Sequence, residues 1–341
     1  MSTPADQVNE LIVAHWRSQT LHAGAALGVF DHLAKGEAKD AETLAGELAV
    51  HAGLLYRLLR GLASLGLLAE DKSHHFSITQ TGELLRSDHS QSLRDRALLN
   101  GGTEHYLIWR HLKDIVRDGR QSGFVREFGT SAFDYAHENT SYRRTFDRGM
   151  TSVSALQSAW ALDALRDYDF GSTRTICDVG GGQGHLLCQL LKAYPHITGI
   201  VLDLPAVVEH TEELLPAKLG LEDRCTHVAG DMFEAVPTAD AYALKMILHD
   251  WNDAECIAIL SNVRRSAPRN ARVFIIEHVV PGPETPHMAK LFDLHMMCWG
   301  TGRERTEDEF AALLGAAGWR FVRSWYPSNR LMGVIEGRPR A

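Results

Sequence analysis

The stretch CDVGGGQGHLL, residues 177–187, constrains the chain more than any other. An apolar run ends in an acid, three glycines follow, Gly184 comes two places later, and a helical-looking apolar run begins. Glycine at this density marks backbone that must turn sharply or lie close against a bound group. A strand feeding a helix through such a loop opens an α/β sheet, and the residues downstream agree. TICDVG reads as a first strand with HLLCQLLKAYP as its helix, and TGIVLDLP as a second strand followed by a helix through AVVEHTEELL. CTHVAGDMF is a third strand, DAYALKMILHDW a fourth and ARVFIIEHVVP a fifth. DAECIAILSNVRRSAP makes a helix capped by Asn252 or Asp253, TEDEFAALLGAAG another, and WRFVRSWYP with LMGVIEGRP closes the sheet as a pair of strands. The fold class is α/β, with a Rossmann-like doubly wound sheet.

Everything before Thr173 reads as mainly helical. A long apolar-rich stretch, NELIVAHWRSQTLHAGAALGVFDHL, precedes a short helix that Asp40 would cap, a turn over Val50–Gly53, a second helix from Leu54 to Leu65, and a strand-like start with a Thr-Gly turn in FSITQTGELL. Helix, turn, helix and hairpin describe a winged-helix unit. Its charge opposes DNA binding: from Asp40 to Asp88 seven acids face four bases, and the whole chain carries -8. Packing or dimerisation is the expected use. We divide the chain at residues 1–100, a winged-helix dimerisation domain; 101–170, a helical connection contributing to an acceptor pocket; and 171–341, the sheet domain. No membrane span is expected, and the acidic, polar start reads as no secretory signal. Five widely spaced cysteines without a CxxC pair suit reduced thiols in a cytoplasmic protein and offer no zinc framework.

A dinucleotide site would show G-x-G-x-x-G. Gly180 and Gly182 fit its first two places, but His185 stands at the sixth, where close helix–strand packing needs glycine. Asp203, ending the second strand, could hold a ribose diol. Asp178 and Asp231 make the strand ends acidic, which repels pyrophosphate and attracts a cationic nucleoside. S-adenosylmethionine has a sulfonium, an ammonium, an adenosine and no phosphate. It is the expected cofactor, S-adenosylhomocysteine the product.

The series DVGGGQG, DLP, GDMF, LKMILHDW, IIEHVV and GRERTEDEF, in this order, resembles the class I O-methyltransferases of the caffeic-acid and hydroxyindole type, whose bacterial members methylate aromatic natural products. The likeness runs over essentially the whole chain, including FDRGMTS and the winged N-terminal half that the family uses to dimerise. It implies a cofactor shell of Asp178 with the glycine loop Gly180, Gly181 and Gly182 near the methionine part, Asp203 on the ribose, Asp231 and Met232 beside the adenine, and Lys245 completing it. It also implies His249 as general base, flanked by Glu277 and Glu304.

Methyl transfer to a phenol needs the proton removed. A phenol has a pKa of about 10 and histidine one near 6.5, so a mostly neutral imidazole is the natural base at neutral pH. A carboxylate that fixes its tautomer strengthens it. Asp250 could orient Lys245 or cap the following helix. No metal is expected. In PHMAKLFDLHMMCWG, Met288, Phe292, His295, Met296 and Trp299 recur at helical spacing, which suits both core packing and a methionine-lined slot for a planar aromatic. Phe146 and Met150 match family positions near the acceptor, and Asp293 is a polar contact either to substrate or to the loop carrying Glu304. The expected function is methylation of a phenolic hydroxyl on a multi-ring small molecule by a homodimer that binds neither nucleic acid nor membrane. The alternatives weighed are a methyltransferase-like hydroxylase of aromatic polyketides and a winged-helix DNA-binding sensor.

Overall fold

The computed structural model describes residues 3–34, 36–209 and 214–340, and the chain divides into two compact units. The first comprises Met1–Leu107 with Phe133–Val153, the second Ile108–Ala132 with Ser154–Ala341.

In the first unit, Asp40 caps the helix Ala41–Leu48, its Oδ1 accepting from the Thr43 amide at 2.8 Å. The next helix, Ala52–Ser64, begins two residues before Leu54 because the His51 ring accepts from the Leu54 amide. Strands β1 (Leu68–Glu70) and β2 (Phe76–Ile78) pair antiparallel as the wing. The expected Thr-Gly turn is instead a one-turn helix, Gln80–Glu83, because the Thr79 hydroxyl accepts from Gly82 N and nucleates it. Leu55, Leu59 and Leu62 recur one helical turn apart and close on Phe30, Leu44 and Phe76 as this unit's core.

The second unit is built on a seven-stranded sheet. Its strands are β3 (Thr175–Val179), β4 (Thr198–Asp203), β5 (Cys225–Ala229), β6 (Ala241–Lys245), β7 (Arg272–Glu277), β8 (Trp319–Trp325) and β9 (Gly333–Pro339), in the spatial order β5-β4-β3-β6-β7-β9-β8. The first five positions are parallel, and the closing strands join antiparallel. Alternation along β7 explains the two faces: Val273 and Ile275 enter one core with Tyr242 and Leu244, while Phe274 and Ile276 enter the other with Ala241 and Ala243. Burying a side chain of this size contributes about 1.5–3 kcal/mol, and the central strands bury almost every residue.

Asn252, not Asp253, caps the helix Asp253–Ser266, through a capping box with Glu255. Of the helix expected through AVVEHTEELL, the turn Pro205–Val208 is present, and residues 210–213 lie outside the described residues. The chain runs outward from β3 to β5 and then resumes with β6 on the other side of β3. That reversal places Val179, Asp203, Ala229, Lys245 and Glu277 at the carboxyl ends of the parallel strands, around a crevice.

Candidate active site

Beyond β3 the chain turns through Gly180, Gly182 and Gly184, with φ of +69°, +58° and +84°, before the helix His185–Ala193. A side chain at Gly180 would be strained and would also meet Ile247 Cδ1 at 2.4 Å. Asp178 lies beneath this loop: a Cβ on Gly181 would come within 2.7 Å of its carboxylate. Asp178 is fully buried, and neither of its side-chain oxygens has a hydrogen-bond partner. Burial pushes its pKa up to about 7, with Lys245 pulling the other way and Asp203 adding to the rise. An orphaned buried carboxylate under a glycine loop fits a cationic amino-acid moiety and opposes a phosphate.

The neighbouring strand ends supply the rest. Asp203 accepts from the Gly182 amide through Oδ2 and from the Leu204 amide through Oδ1, both at 2.8 Å. Burial raises its pKa against those two bonds. Asp231 caps its own turn, Oδ1 accepting from Phe233 N at 2.8 Å, and the Met232 carbonyl accepts from Asn262. Lys245 is not left costly and alone: Nζ donates to Ser154 Oγ at 2.9 Å. Burial lowers its pKa, opposed by the charges of Asp178 and Glu277.

His249 stands on a single 3-10 turn, Leu248–Asp250, just past β6. Its Nδ1 meets Glu304 Oε1 at 2.8 Å with both residues buried, leaving Nε2 facing Asp250 Oδ1 at 3.6 Å. The surroundings move this imidazole above the ordinary pKa that the sequence suggests. Burial alone would lower it, but the charges of Asp250, Glu277 and Glu304, with the Glu304 hydrogen bond, push it up to about 10. Glu277 does not bond to the ring. Its Oε1 accepts from the amides of Ile247 at 3.0 Å and Leu248 at 2.9 Å, so it grips the backbone that carries the base. Burial, and after it the neighbouring acids, raise the Glu277 pKa.

His249, Glu277 and Glu304 bring ligand atoms within 4.8 Å of one another, a grouping of three distant segments that no sequence spacing displays. A metal ion there would have to displace the Nδ1–Glu304 hydrogen bond, so the cluster is better suited to moving a proton.

The helix Met288–Trp299 divides its expected face. Phe292 stacks on His249 (centroids 5.9 Å, 24°) and on His295 (5.7 Å, 26°), and His295 stacks on Trp109 (5.9 Å, 27°). His295 is pushed down to about 4 by burial and the nearby His249 charge, so its imidazole is neutral. Met296 and Trp299 are buried, whereas Met288 is exposed. Asp293 turns to the loop, Oδ1 accepting from Glu304 N at 2.9 Å. Phe146 and Met150 lie in the first unit's part of the helix Thr140–Ala164, Phe146 against His105 and Tyr142 and Met150 exposed. Sequence reasoning missed Ser154 and Trp109, which no pattern marks, and Arg305, although it sits inside a quoted motif. Asp250 neither bonds Lys245, which donates to Ser154, nor caps the following helix, which Asn252 does, and it lies beside His249 instead.

An O-methyltransferase domain model matches residues 109–320, and an O-methyltransferase dimerisation domain model matches 9–88. The chain is 36% identical to a phenazine O-methyltransferase, PhzM, of Lysobacter antibioticus over 331 residues, covering 97% of this chain and 95% of that protein. It is 35% identical to a mitomycin biosynthesis 6-O-methyltransferase of Streptomyces lavendulae over 94% of this chain and 90% of the other. The crystal structure of human N-acetylserotonin methyltransferase in complex with S-adenosylmethionine superposes with a TM-score of 0.90 at 26% identity, over 100% of this chain and 99% of that one. The chain belongs to the family of S-adenosylmethionine-dependent O-methyltransferases that pair this catalytic sheet with an N-terminal dimerisation domain.

Proposed function

We propose that this enzyme methylates a phenolic hydroxyl of a multi-ring aromatic small molecule, with His249 as general base. The observation that carries this reading is the buried 2.8 Å contact between His249 Nδ1 and Glu304 Oε1. It fixes the ring so that Nε2 is the nitrogen available to a hydroxyl, and it stabilises the imidazolium formed when the proton arrives. The charges of Asp250, Glu277 and Glu304 raise the ring's pKa toward the phenol's own value of about 10, which lowers the cost of moving the proton onto it; the form that accepts the proton is the neutral ring, whose share grows as pH rises.

Asp178, Gly180, Gly181, Gly182, Asp203, Asp231, Met232 and Lys245 would hold S-adenosylmethionine, which when bound supplies an electrophilic methyl carbon on a sulfonium. Asp178 faces the cationic amino-acid part and Asp203 the ribose diol. The rings of Phe292, His295 and Trp109, with Met288 and Met296, supply the apolar surface a planar acceptor needs. The phenazine and mitomycin relatives support a fused-ring acceptor.

We further propose that the enzyme works as a homodimer through its first domain, residues 1–100, with 101–170 as the connection to the methyltransferase domain, 171–341. The helices Pro4–Ile12 and Ala14–Ala26 leave Val8, Leu11, Ile12 and Trp16 between 57% and 77% exposed, an apolar face that a second copy would cover. Five free, buried cysteines accord with a cytoplasmic setting. A panel of hydroxylated aromatics assayed with methyl-labelled cofactor tests the substrate class. Label transferred only to amines or thiols, or to no aromatic hydroxyl at all, would refute it. Replacing His249 with Ala should lower turnover by about 10²–10⁴-fold while cofactor affinity is kept.

A further inference from the structure

Arg305 is fully buried, and each of its five guanidinium N–H groups is used. Nε and Nη2 donate to Asp253 Oδ1 at 3.0 and 2.8 Å; Nη2 also donates to the Trp251 carbonyl at 2.8 Å; Nη1 donates to the carbonyls of Leu248 at 2.8 Å and Arg303 at 3.3 Å. Leu248 and Trp251 bracket His249 and Asp250 in the chain, and Arg305 itself follows Glu304. One planar group thus ties the backbone on both sides of the base to the backbone beside the base's hydrogen-bond partner.

The turn that carries His249 needs such a tie. Met246, at its entry, has φ of +56°, a conformation that side-chain-bearing residues rarely adopt. From the amide side, Glu277 Oε1 holds Ile247 and Leu248; from the carbonyl side, Arg305 holds Leu248 and Trp251. Leu248 is gripped through both its N–H and its C=O. Stability alone explains this poorly, because burying a guanidinium is costly and its pairing with a half-exposed carboxylate returns little. The fork geometry of arginine, which reaches four acceptors in fixed directions, explains it well.

We propose that Arg305 is a positioning residue for methyl transfer, acting through His249: it locks the His249 turn to the Glu304 loop and so sets the 2.8 Å contact on which the base depends. This rests on the reading of His249 as the base. Asp253, half-exposed at the start of its helix, is the counter-ion that orients the guanidinium.

Arg305→Lys is the test, because a lysine is a point donor that cannot span the two carbonyls and Asp253 together. A shift of about 1 Å at the base predicts turnover down on the order of 100-fold. Calorimetric affinity for S-adenosylmethionine should stay unchanged, and the His249 ring, followed by nitrogen NMR, should titrate at lower pH than in the wild type. Guanidinium ion added to Arg305→Ala should restore part of the turnover. A folded Arg305→Lys enzyme with wild-type turnover and His249 titration would overturn the proposal, and so would equal losses of turnover and cofactor affinity. If Arg305→Lys fails to fold, Asp253→Ala is measured in the same way, and wild-type values there overturn it too. His249→Ala separates the two readings. Full activity in that variant removes the base itself, whereas an inactive His249→Ala beside a fully active Arg305→Lys removes only the positioning role.

Discussion

Gly302 offers the sharpest structural perturbation of the base. It lies in the loop before Glu304, and a Cβ built on it would fall 1.9 Å from the His249 carbonyl oxygen, 2.5 Å from the Asp250 carbonyl carbon and 2.7 Å from that of His249. All three atoms are backbone, so no side-chain rotation relieves the clash. Real Cβ contacts essentially never fall below 3.0 Å. The loop cannot simply lift away, because the Gly302 carbonyl accepts from Gln121 Nε2 at 3.1 Å and the Glu304 amide is held by Asp293. Gly302→Ala must therefore displace the His249 peptide by about 1 Å, a misplacement that costs on the order of 100-fold in rate. That corresponds to about 2.7 kcal/mol of lost transition-state stabilisation. Overpacking should also cost about 1–3 kcal/mol of stability. The assay is initial-rate transfer of labelled methyl at saturating cofactor, alongside calorimetric cofactor affinity, which should not change. Gly282→Ala, whose Cβ would have no atom within 4 Å, is the control and should behave as wild type. A folded Gly302→Ala enzyme with undiminished turnover would refute the steric reasoning and the claim that the base must be held in place.

Other outcomes follow from the cofactor side and from pH. Asp203→Ala should weaken S-adenosylmethionine binding by about 10–100-fold, the loss of one or two charge-assisted hydrogen bonds, and unchanged affinity by calorimetry would remove Asp203 from the ribose site. Asp178 has a folded pKa raised to about 7, so the stability of its neutral form is complete below about 4 and is lost as pH rises through 7. Asp178→Asn should therefore flatten the fall of melting temperature between pH 5 and 8 in the cofactor-free protein. A wild-type curve that rises over that interval contradicts the assignment. His249 acts in the same direction at higher pH: its contribution is complete below about 6.5 and is lost through about 10, so His249→Ala should remove stability near pH 6 and little near pH 11. Equal destabilisation at both pH values would show that the ring acts by packing alone.

Much of this was legible because glycine, strand and cap signals are local. The loop of Gly180 to Gly184, the strands ending in Asp203, Lys245 and Glu277, and the caps at Asp40 and Asn252 all follow from neighbours within a few residues. Thr79 shows the limit of local chemistry, since its hydroxyl can serve a turn or start a helix and here it caps a helix through the Gly82 amide. What sequence could not give was the electrostatics. His249 with Asp250, Glu277 and Glu304 come from three separate segments, and only their burial together raises the pKa of an ordinary imidazole. The same is true of direction: Glu277 looked like a partner for the ring and holds backbone amides instead, while Asp293 serves the Glu304 amide. Helical spacing grouped Met288 with Met296, yet one is exposed and the other buried, because a shared stripe does not say which neighbour covers each turn.

A series of phenolic acceptors of graded acidity, each assayed at one pH with the wild type and with His249→Ala, tests general-base methyl transfer most directly. The rate ratio should be large for phenols with pKa near 10 and should shrink toward unity for acceptors already ionised at the assay pH. A ratio that stays constant across the series would contradict a role for His249 in taking the proton.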